Sequence, residues 1–335
     1  MYEFSVIGGK TARRIIEASR PQLVEVVRDT YLAHHAGQSV NPDSYFLRFP
    51  DQPADRIIAL PAYLGGTADV SGIKWISSFP ANIERGIPRA SAALLLNDQR
   101  TGYPFACLEA SQISAARTAA SAALAARQLT GGRRAGKVAV IGAGIIARNI
   151  MEFLRAEGWQ IDQVVVHDQA EHYAAALADH SARQLGYPSA TAPSAAEAVG
   201  GADLVVLATT AAEPHITAAD AFAPGQVVLN ISLRDISPEL IAAADNVLDD
   251  VEHCLKANTS PHLAEQTYGN RDFVTGTLAQ VITGEAVLRG GRPVIFSPFG
   301  LGVLDLAVGL HIYRAAKDAH ETVEIEDFFG ETTRW

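Results

Sequence analysis

Residues 137–150, "KVAVIGAGIIARNI", decide the fold. An apolar strand, "KVAVIG", runs into a glycine turn and then into a helix, "IIARNIMEFLRAEG". The turn spells Gly142-x-Gly144-x-x-Ala147. A lone G-x-G-x-x-G/A is common; a strand before it and a helix after it make it a dinucleotide-binding fingerprint. Gly142 permits the tight turn, Gly144 lets the backbone approach a pyrophosphate at the helix N-terminus, and Ala147 is small enough for helix–strand packing.

Downstream, "QVVVHD" (163–168), "ADLVVLATT" (202–210), "QVVLNIS" (226–232), "NVLDD" (246–250) and "RPVIFS" (292–297) read as short strands. Helical pieces such as "EHYAAALADHSARQLG" separate them. Continuous Val/Leu/Ile runs alternating with helices indicate a parallel sheet covered on both faces. Asp168 closes the second strand, where a carboxylate accepts hydrogen bonds from ribose hydroxyls and repels a 2′-phosphate; its spacing from the glycines slightly exceeds the usual ~20 residues. NAD is favoured over NADP, although His167 could offset part of that charge, and a plain strand-end turn is the alternative role for Asp168. Thr209 and Thr210 end another strand on the side where such sheets hold ligands.

Upstream the pattern is mixed. "RPQLVEVVRDTYLAHHAG" (20–37) has helical spacing and ends on Gly37. "DRIIALPAYLGG" (55–66), "VSGIKWISS" (70–78), "ASAALLLND" (90–98) and "QRTGYPFACLEA" (99–110) supply strands, with a turn at Thr101-Gly102. "SQISAARTAASAALAARQL" (111–129) is an Ala-rich helix, and "GLGVLDLAVGLHIYRAAKDA" (300–319) a long apolar one. The expected class is α/β: a Rossmann-type doubly wound parallel sheet over 126–311, and an α+β unit formed by 1–125 with 312–335.

With 335 residues, a net charge of −10 and no dense Lys/Arg run, the chain suits a soluble two-domain protein and neither nucleic acid nor an anionic membrane surface. Its two cysteines, Cys107 and Cys254, form no C-x-x-C pair, which argues against a disulfide framework or a zinc site. The opening "MYEFSVIGGK" lacks the features of a secretory signal, and no apolar run is long enough to span a bilayer. A cytoplasmic protein without a metal centre is expected, with the histidines solvated or incidental.

Several charges stand in apolar surroundings. Arg56 precedes "IIALPAY", Lys74 lies between Ile73 and Trp75, and Arg117 sits in "SAARTAAS" with no acid at i±4. Cations placed this way suit an anion pocket, since Arg grips carboxylates bidentately and a buried Lys can titrate. Each one taken alone is equally well read as snorkelling from an element's edge. Strand alternation sets Lys74 opposite Ile73 and Trp75, pointing away from the apolar layer into a cleft. Asp235, in "NISLRDISPEL" (230–240), lies just past a strand end and before Ser237-Pro238-Glu239, a helix start. It reads either as a loop residue or as a general acid/base facing the nicotinamide.

In order along the chain, "GIKW", "LNDQRTGYPFACLEASQISAARTAASAALAARQL", "VAVIGAG", "NISLRDISPEL" and "SPFGLGVLDLAVG" resemble the ornithine cyclodeaminase/mu-crystallin family, over nearly the whole length. The resemblance implies a homodimer joined through the first domain, and an NAD-dependent enzyme acting on the CH–NH group of an amino acid. It carries the catalytic roles to Lys74 and Asp235, and substrate carboxylate binding to Arg56 and Arg117. The motif and the resemblance together give a cofactor set of Gly142, Ala143, Gly144, Ile145, Ile146 and Asp168, with Thr118, Thr209, Thr210, Ser232 and Gly300.

Within the family, "ADRIIALPAYLGG" and "SGIKWISSFPANIERGIPRASAALLLND" look most like the branch that oxidises N-(2-amino-2-carboxyethyl)-L-glutamate to supply 2,3-diaminopropionate for siderophores and peptide antibiotics. Arg89, in "PRAS", adds a cation suited to that substrate's third carboxylate. In that scheme Lys74 anchors a carboxylate and polarises the reacting centre, and Asp235 is the general base. The alternatives are a cyclodeaminase-like lyase that recycles its NAD, another imine-reducing or opine-type dehydrogenase, and a non-catalytic NAD(P)H-binding protein like mu-crystallin.

Overall fold

The computed structural model describes residues 3–331 and 333–334. Two compact units emerge: Met1–Arg117 with Leu301–Trp335, and Thr118–Gly300. These divisions come earlier in the chain than 125/126 and 311/312, the positions that composition suggests. The second division falls at 300/301 because the last long helix packs along its length on first-unit elements and so belongs there from its start.

The first unit begins with β1 (Ser5–Ile7), α1 (Gly9–His35), β2 (Ser39–Val40), β3 (Tyr45–Phe49), β4 (Gln52–Leu64) and β5 (Val70–Ser78). After a 3-10 turn at Pro80–Arg85 come β6 (Ala92–Asp98), β7 (Pro104–Glu109) and α2 (Ser111–Leu129), which carries the chain into the second unit. That unit contains β8 (Arg134–Ile141), α3 (Ile145–Ala156), β9 (Gln160–His167), α4 (Glu171–Arg183), β10 (Ser189–Thr191), α5 (Ala195–Val199), β11 (Leu204–Leu207) and β12 (Val227–Asn230). It continues through α6 (Pro238–Ala243), β13 (Asp245–Leu248), α7 (Val251–Cys254), α8 (Ser260–Tyr268), β14 (Val274–Thr277), α9 (Leu278–Thr283) and β15 (Val294–Ser297). The chain then returns to the first unit as α10 (Gly302–Asp318) and β16 (Val323–Glu324).

The first unit holds a sheet in the order β16-β1-β7-β6-β5-β4-β2, with β3 also paired to β4. The β4–β5–β6 core is antiparallel, and its register aligns Leu60, Lys74 and Leu94 in one row and Ala59, Trp75 and Ala93 in the next. Residues of one row share a face, and neighbouring rows take opposite faces. α10 covers one face of this core. It is buried almost all round, through Val303, Leu304, Leu306, Val308 and Ile312, and so lacks the polar stripe of a surface helix. Gly309 lets it approach, because a Cβ there would run into the Leu94 side chain.

The helix expected at 20–37 is longer at its N-terminal end, since α1 starts at Gly9. Pro21 marks a kink within it, not its beginning. Ser19 departs from helical geometry (φ −127°, ψ 18°) and its hydroxyl bonds back to the Ile15 carbonyl at 2.6 Å. Proline has no N–H to give the preceding turn, so it opens the second half of the helix as it would open a new one.

The second unit's sheet runs β10-β9-β8-β11-β12-β15-β13-β14, with every pair parallel. Its order reverses between β8 and β11, the topological switch point of a doubly wound sheet. Ala139, Ile141, Val205, Leu207, Val228 and Ile295 form the core of one face. Among the described residues no helix is long and apolar enough to cross a membrane.

Candidate active site

The first unit gathers charges at the middle of β5. Lys74 is only 2% exposed. Its row faces α10, and Nζ donates to Asp305 Oδ2 at 2.6 Å and to Ser114 Oγ at 3.3 Å. Asp305, fully buried, also accepts from Arg117 Nε on Oδ1 at 3.3 Å. The expectation that Lys74 avoids the apolar layer is therefore corrected. Alternation does set it opposite Trp75, but the face it takes is the helix-covered one, and an acid from that helix meets it. Burial holds the Lys74 pKa down, to about 8; Asp305 opposes the shift and Arg117 adds to it.

Arg89 and Arg56 lie beside the C-terminal end of β5, at Ser78. Arg56, half-buried on β4, pairs across to Ser78 in register. Arg89 donates from Nε to the Ser78 hydroxyl at 3.2 Å, and no acid among the described residues pairs with it. Burial lowers its pKa, yet a guanidinium remains charged. Ser78 is on the same face as Lys74, about 13 Å farther along at ~3.3 Å per residue. This face thus carries cationic groups at two separated places, Lys74 beside Asp305 at one and Arg56 with Arg89 at the other.

In the second unit the glycine turn sits at the switch point. Gly142 has φ +89°, and a Cβ there would lie 2.5 Å from the Ala208 carbonyl oxygen. Gly144 is the N-cap of α3, and nothing stands within 4 Å of where its Cβ would be. The first excludes a side chain; the second keeps the helix N-terminus open to a phosphate. Ile145 and Ile146 form the first turn, with Ile145 half-exposed, while Ala147 is buried against the sheet. Asp168 follows β9 and accepts the Ala143 N–H on Oδ2 at 2.7 Å and the Ala170 N–H on Oδ1 at 2.9 Å. Its carboxylate is fixed beside the turn with acceptor capacity left for ribose hydroxyls. Together these residues fit a nicotinamide dinucleotide. Gly142→Ala is expected to abolish cofactor binding and lower stability, because the new methyl meets the Ala208 backbone at a φ that L-residues rarely adopt. Fluorescence titration with NADH and a thermal melt check both effects.

Asp235 is fully buried beyond β12. Oδ1 accepts from Thr209 Oγ1 at 2.7 Å and Oδ2 from Ser232 Oγ at 2.6 Å; His215 Nε2 stands 3.6 Å from Oδ2. Thr209 and Ser232, expected to line the cofactor, turn their hydroxyls to this carboxylate, while Thr210 is exposed. The turn carrying it includes Leu233 at φ +74°. A branched aliphatic residue there is strained, and such strain persists where surrounding bonds over-determine the backbone. Arg234 supplies two of those bonds, donating to the Asn258 and Ala257 carbonyls. Gly300 (φ +95°) is held by Asp249, whose Oδ2 accepts its N–H at 2.7 Å. Thr118 is half-buried on α2, beside Arg117. Asp305, His215 and Asp249 escape the sequence reading. Asp305 alone had a local signal, as the one acid inside the apolar run "GLGVLDLAVGL".

A Rossmann-type sheet with an open glycine turn, in a chain whose other unit is an α+β fold with a buried lysine, defines a two-unit nucleotide-dependent class of protein. The ornithine cyclodeaminase/mu-crystallin family model matches residues 14–320, and the chain belongs to that family. It is 31% identical over 304 residues to an N-((2S)-2-amino-2-carboxyethyl)-L-glutamate dehydrogenase of Staphylococcus aureus, covering 88% of this chain and 90% of the relative. It is 28% identical over 326 residues to an alanine dehydrogenase of Archaeoglobus fulgidus, covering 92% and 95%. Among solved structures, the Thermococcus litoralis Delta(1)-pyrroline-2-carboxylate reductase in complex with NADH and L-proline has the same fold, with a TM-score of 0.88 at 23% identity and coverage of 96% and 100%.

Proposed function

We propose that the chain is an NAD-dependent oxidoreductase of the cytoplasm that oxidises N-(2-amino-2-carboxyethyl)-L-glutamate at the glutamate α-carbon. Water then cleaves the imine to 2-oxoglutarate and 2,3-diaminopropionate. The likeness to the staphylococcal dehydrogenase supports this substrate. The structural observation that carries it is Arg89: a half-buried guanidinium with no acidic partner among the described residues, bonded to Ser78 at the end of β5, well separated from Lys74. A substrate with carboxylates at both ends suits cations so spaced.

NAD⁺, when bound, supplies the hydride acceptor. Gly142, Ala143, Gly144, Ile145 and Ile146 would hold its pyrophosphate and Asp168 its ribose hydroxyls, with Thr118, Thr209, Thr210, Ser232 and Gly300 completing the set. Arg56, Arg89 and Arg117 would bind carboxylates, Lys74 would polarise the reacting centre, and Asp235 would take a proton from the attacking water. The test is a panel with NAD⁺: NADH appears with this substrate and not with ornithine, alanine or proline. Ammonia release from ornithine without net NADH would instead mark a cyclodeaminase-like lyase.

A second copy of the chain is the proposed partner. On the sheet face opposite Lys74, Tyr45 and Trp75 are 71% and 44% exposed, and Ala59 joins them in one cross-strand row. Leu47, on the same face, is also exposed. An apolar sheet face of this kind marks an interaction surface. Trp75→Glu should shift a dimer to a monomer in light scattering, with no change in the far-UV circular dichroism.

A further inference from the structure

We infer that Asp305 is a positioning residue that divides the work of two cations: it makes Lys74 a proton donor, and it leaves carboxylate binding to Arg117. This extends the proposed function and rests on it.

The geometry is specific. One buried carboxylate on α10 gives each oxygen its own cation: Oδ2 to Lys74 Nζ at 2.6 Å, and Oδ1 to Arg117 Nε at 3.3 Å. By engaging Arg117 through Nε, Asp305 leaves the two terminal guanidinium nitrogens without a hydrogen-bond partner among the described residues. Those nitrogens are the edge that grips a carboxylate in a two-point fashion. Lys74 is in the opposite condition. Its charge is already matched by Asp305 at close range, and a lysine so compensated gains little from a second carboxylate. What it retains is a proton held in a site screened from water, the environment in which lysines are used as titrating groups.

The charged groups facing Lys74 are few. Asp305 approaches from α10 and Arg117 from α2, whereas its row neighbours on β4 and β6 are Leu60 and Leu94. A pKa held near 8 by burial agrees with a group that gives up a proton at ordinary pH. The proposed step is the collapse of the carbinolamine formed when water adds to the imine. The carbon–nitrogen bond breaks with its electron pair going to nitrogen, and the Lys74 ammonium supplies the proton that nitrogen takes up. The carbinolamine hydroxyl loses its proton to water as the carbonyl forms, and Lys74 is re-protonated from solvent. No oxidant or reductant enters this step.

The test is the pH profile of kcat for the wild type, Asp305→Asn, Asp305→Glu and Lys74→Met, with KM for the substrate measured alongside. The wild type should lose activity on the basic side as Lys74 deprotonates. In Asp305→Asn the ammonium loses its partner, so this limb should move to lower pH by about a unit or more. kcat should fall roughly 100-fold at pH 8, with KM changed far less. Asp305→Glu, which retains the charge, should return part of both. If Asp305→Asn does not fold, Asp305→Glu alone decides: a lowered kcat with a displaced limb supports the inference, and a wild-type profile overturns it. A folded Asp305→Asn with the wild-type limb, altered only in KM, also overturns it. If the wild type forms no NADH with this substrate, the fault lies in the proposed function; if the wild type turns over and Lys74→Met does so equally, or Lys74→Met is inactive while the Asp305 variants keep the wild-type limb, it lies in this inference alone.

Discussion

Lys74→Met is expected to reduce turnover by about 10³-fold while leaving NADH affinity unchanged. General acid catalysis is worth about 10²–10⁴ in rate, and Met fills the space of the lysine stem without carrying a proton. The glycine turn and Asp168 belong to the other compact unit, so cofactor binding measures whether the loss is chemical. A stability cost accompanies it. Breaking a buried ion pair from one side costs about 3–5 kcal/mol, because the remaining charge stays out of water. Here Arg117 remains on Asp305 Oδ1, which places the loss toward the lower end. Urea unfolding checks that figure, and NADH formation under saturating substrate checks turnover.

Asp235→Asn is the second large effect, a loss of about 10²–10⁴ in kcat with the fold retained. The substitution keeps the shape and removes the base. The two hydrogen bonds to the carboxylate come from hydroxyls, those of Thr209 and Ser232, with His215 Nε2 farther off at 3.6 Å, and a hydroxyl can rotate to accept from an amide as readily as it donates to a carboxylate. The turn itself is held by backbone bonds that the side chain does not make: the His215 and Ile216 N–H groups donate to the Asp235 carbonyl, and the Ser260 N–H to that of Leu233. A thermal melt close to the wild type, together with turnover lost, is the expected pair of results. Unchanged turnover would remove Asp235 from the mechanism.

The second unit could be read from the sequence because its signals are local. A parallel strand buried on both faces spells itself as Val-Val-Val, and the glycine turn has a fixed grammar of strand, Gly-x-Gly and helix. The crowded site of the first unit could not be read in the same way. Lys74 and Asp305 lie 231 residues apart, and nothing near either residue names the other. Alternation along β5 correctly separated Lys74 from Trp75 but could not say which face a helix would cover; that depends on α10 returning from the far end of the chain. The N-terminal start of α1 was hidden for a different reason. Pro21 carries the chemistry of a helix beginning, and only the continued helical path on its other side shows it to be a kink. Arg89 needed both levels: its place in "PRAS" suggested an added cation, and the structure supplies the uncompensated setting at Ser78.

The stoichiometry of the reaction decides whether the protein is this dehydrogenase. Purified protein, NAD⁺ and N-(2-amino-2-carboxyethyl)-L-glutamate are mixed, and NADH, 2-oxoglutarate and 2,3-diaminopropionate are followed together. Equal accumulation of all three is the predicted result. NAD⁺ that binds but is never reduced in the presence of this substrate would contradict it.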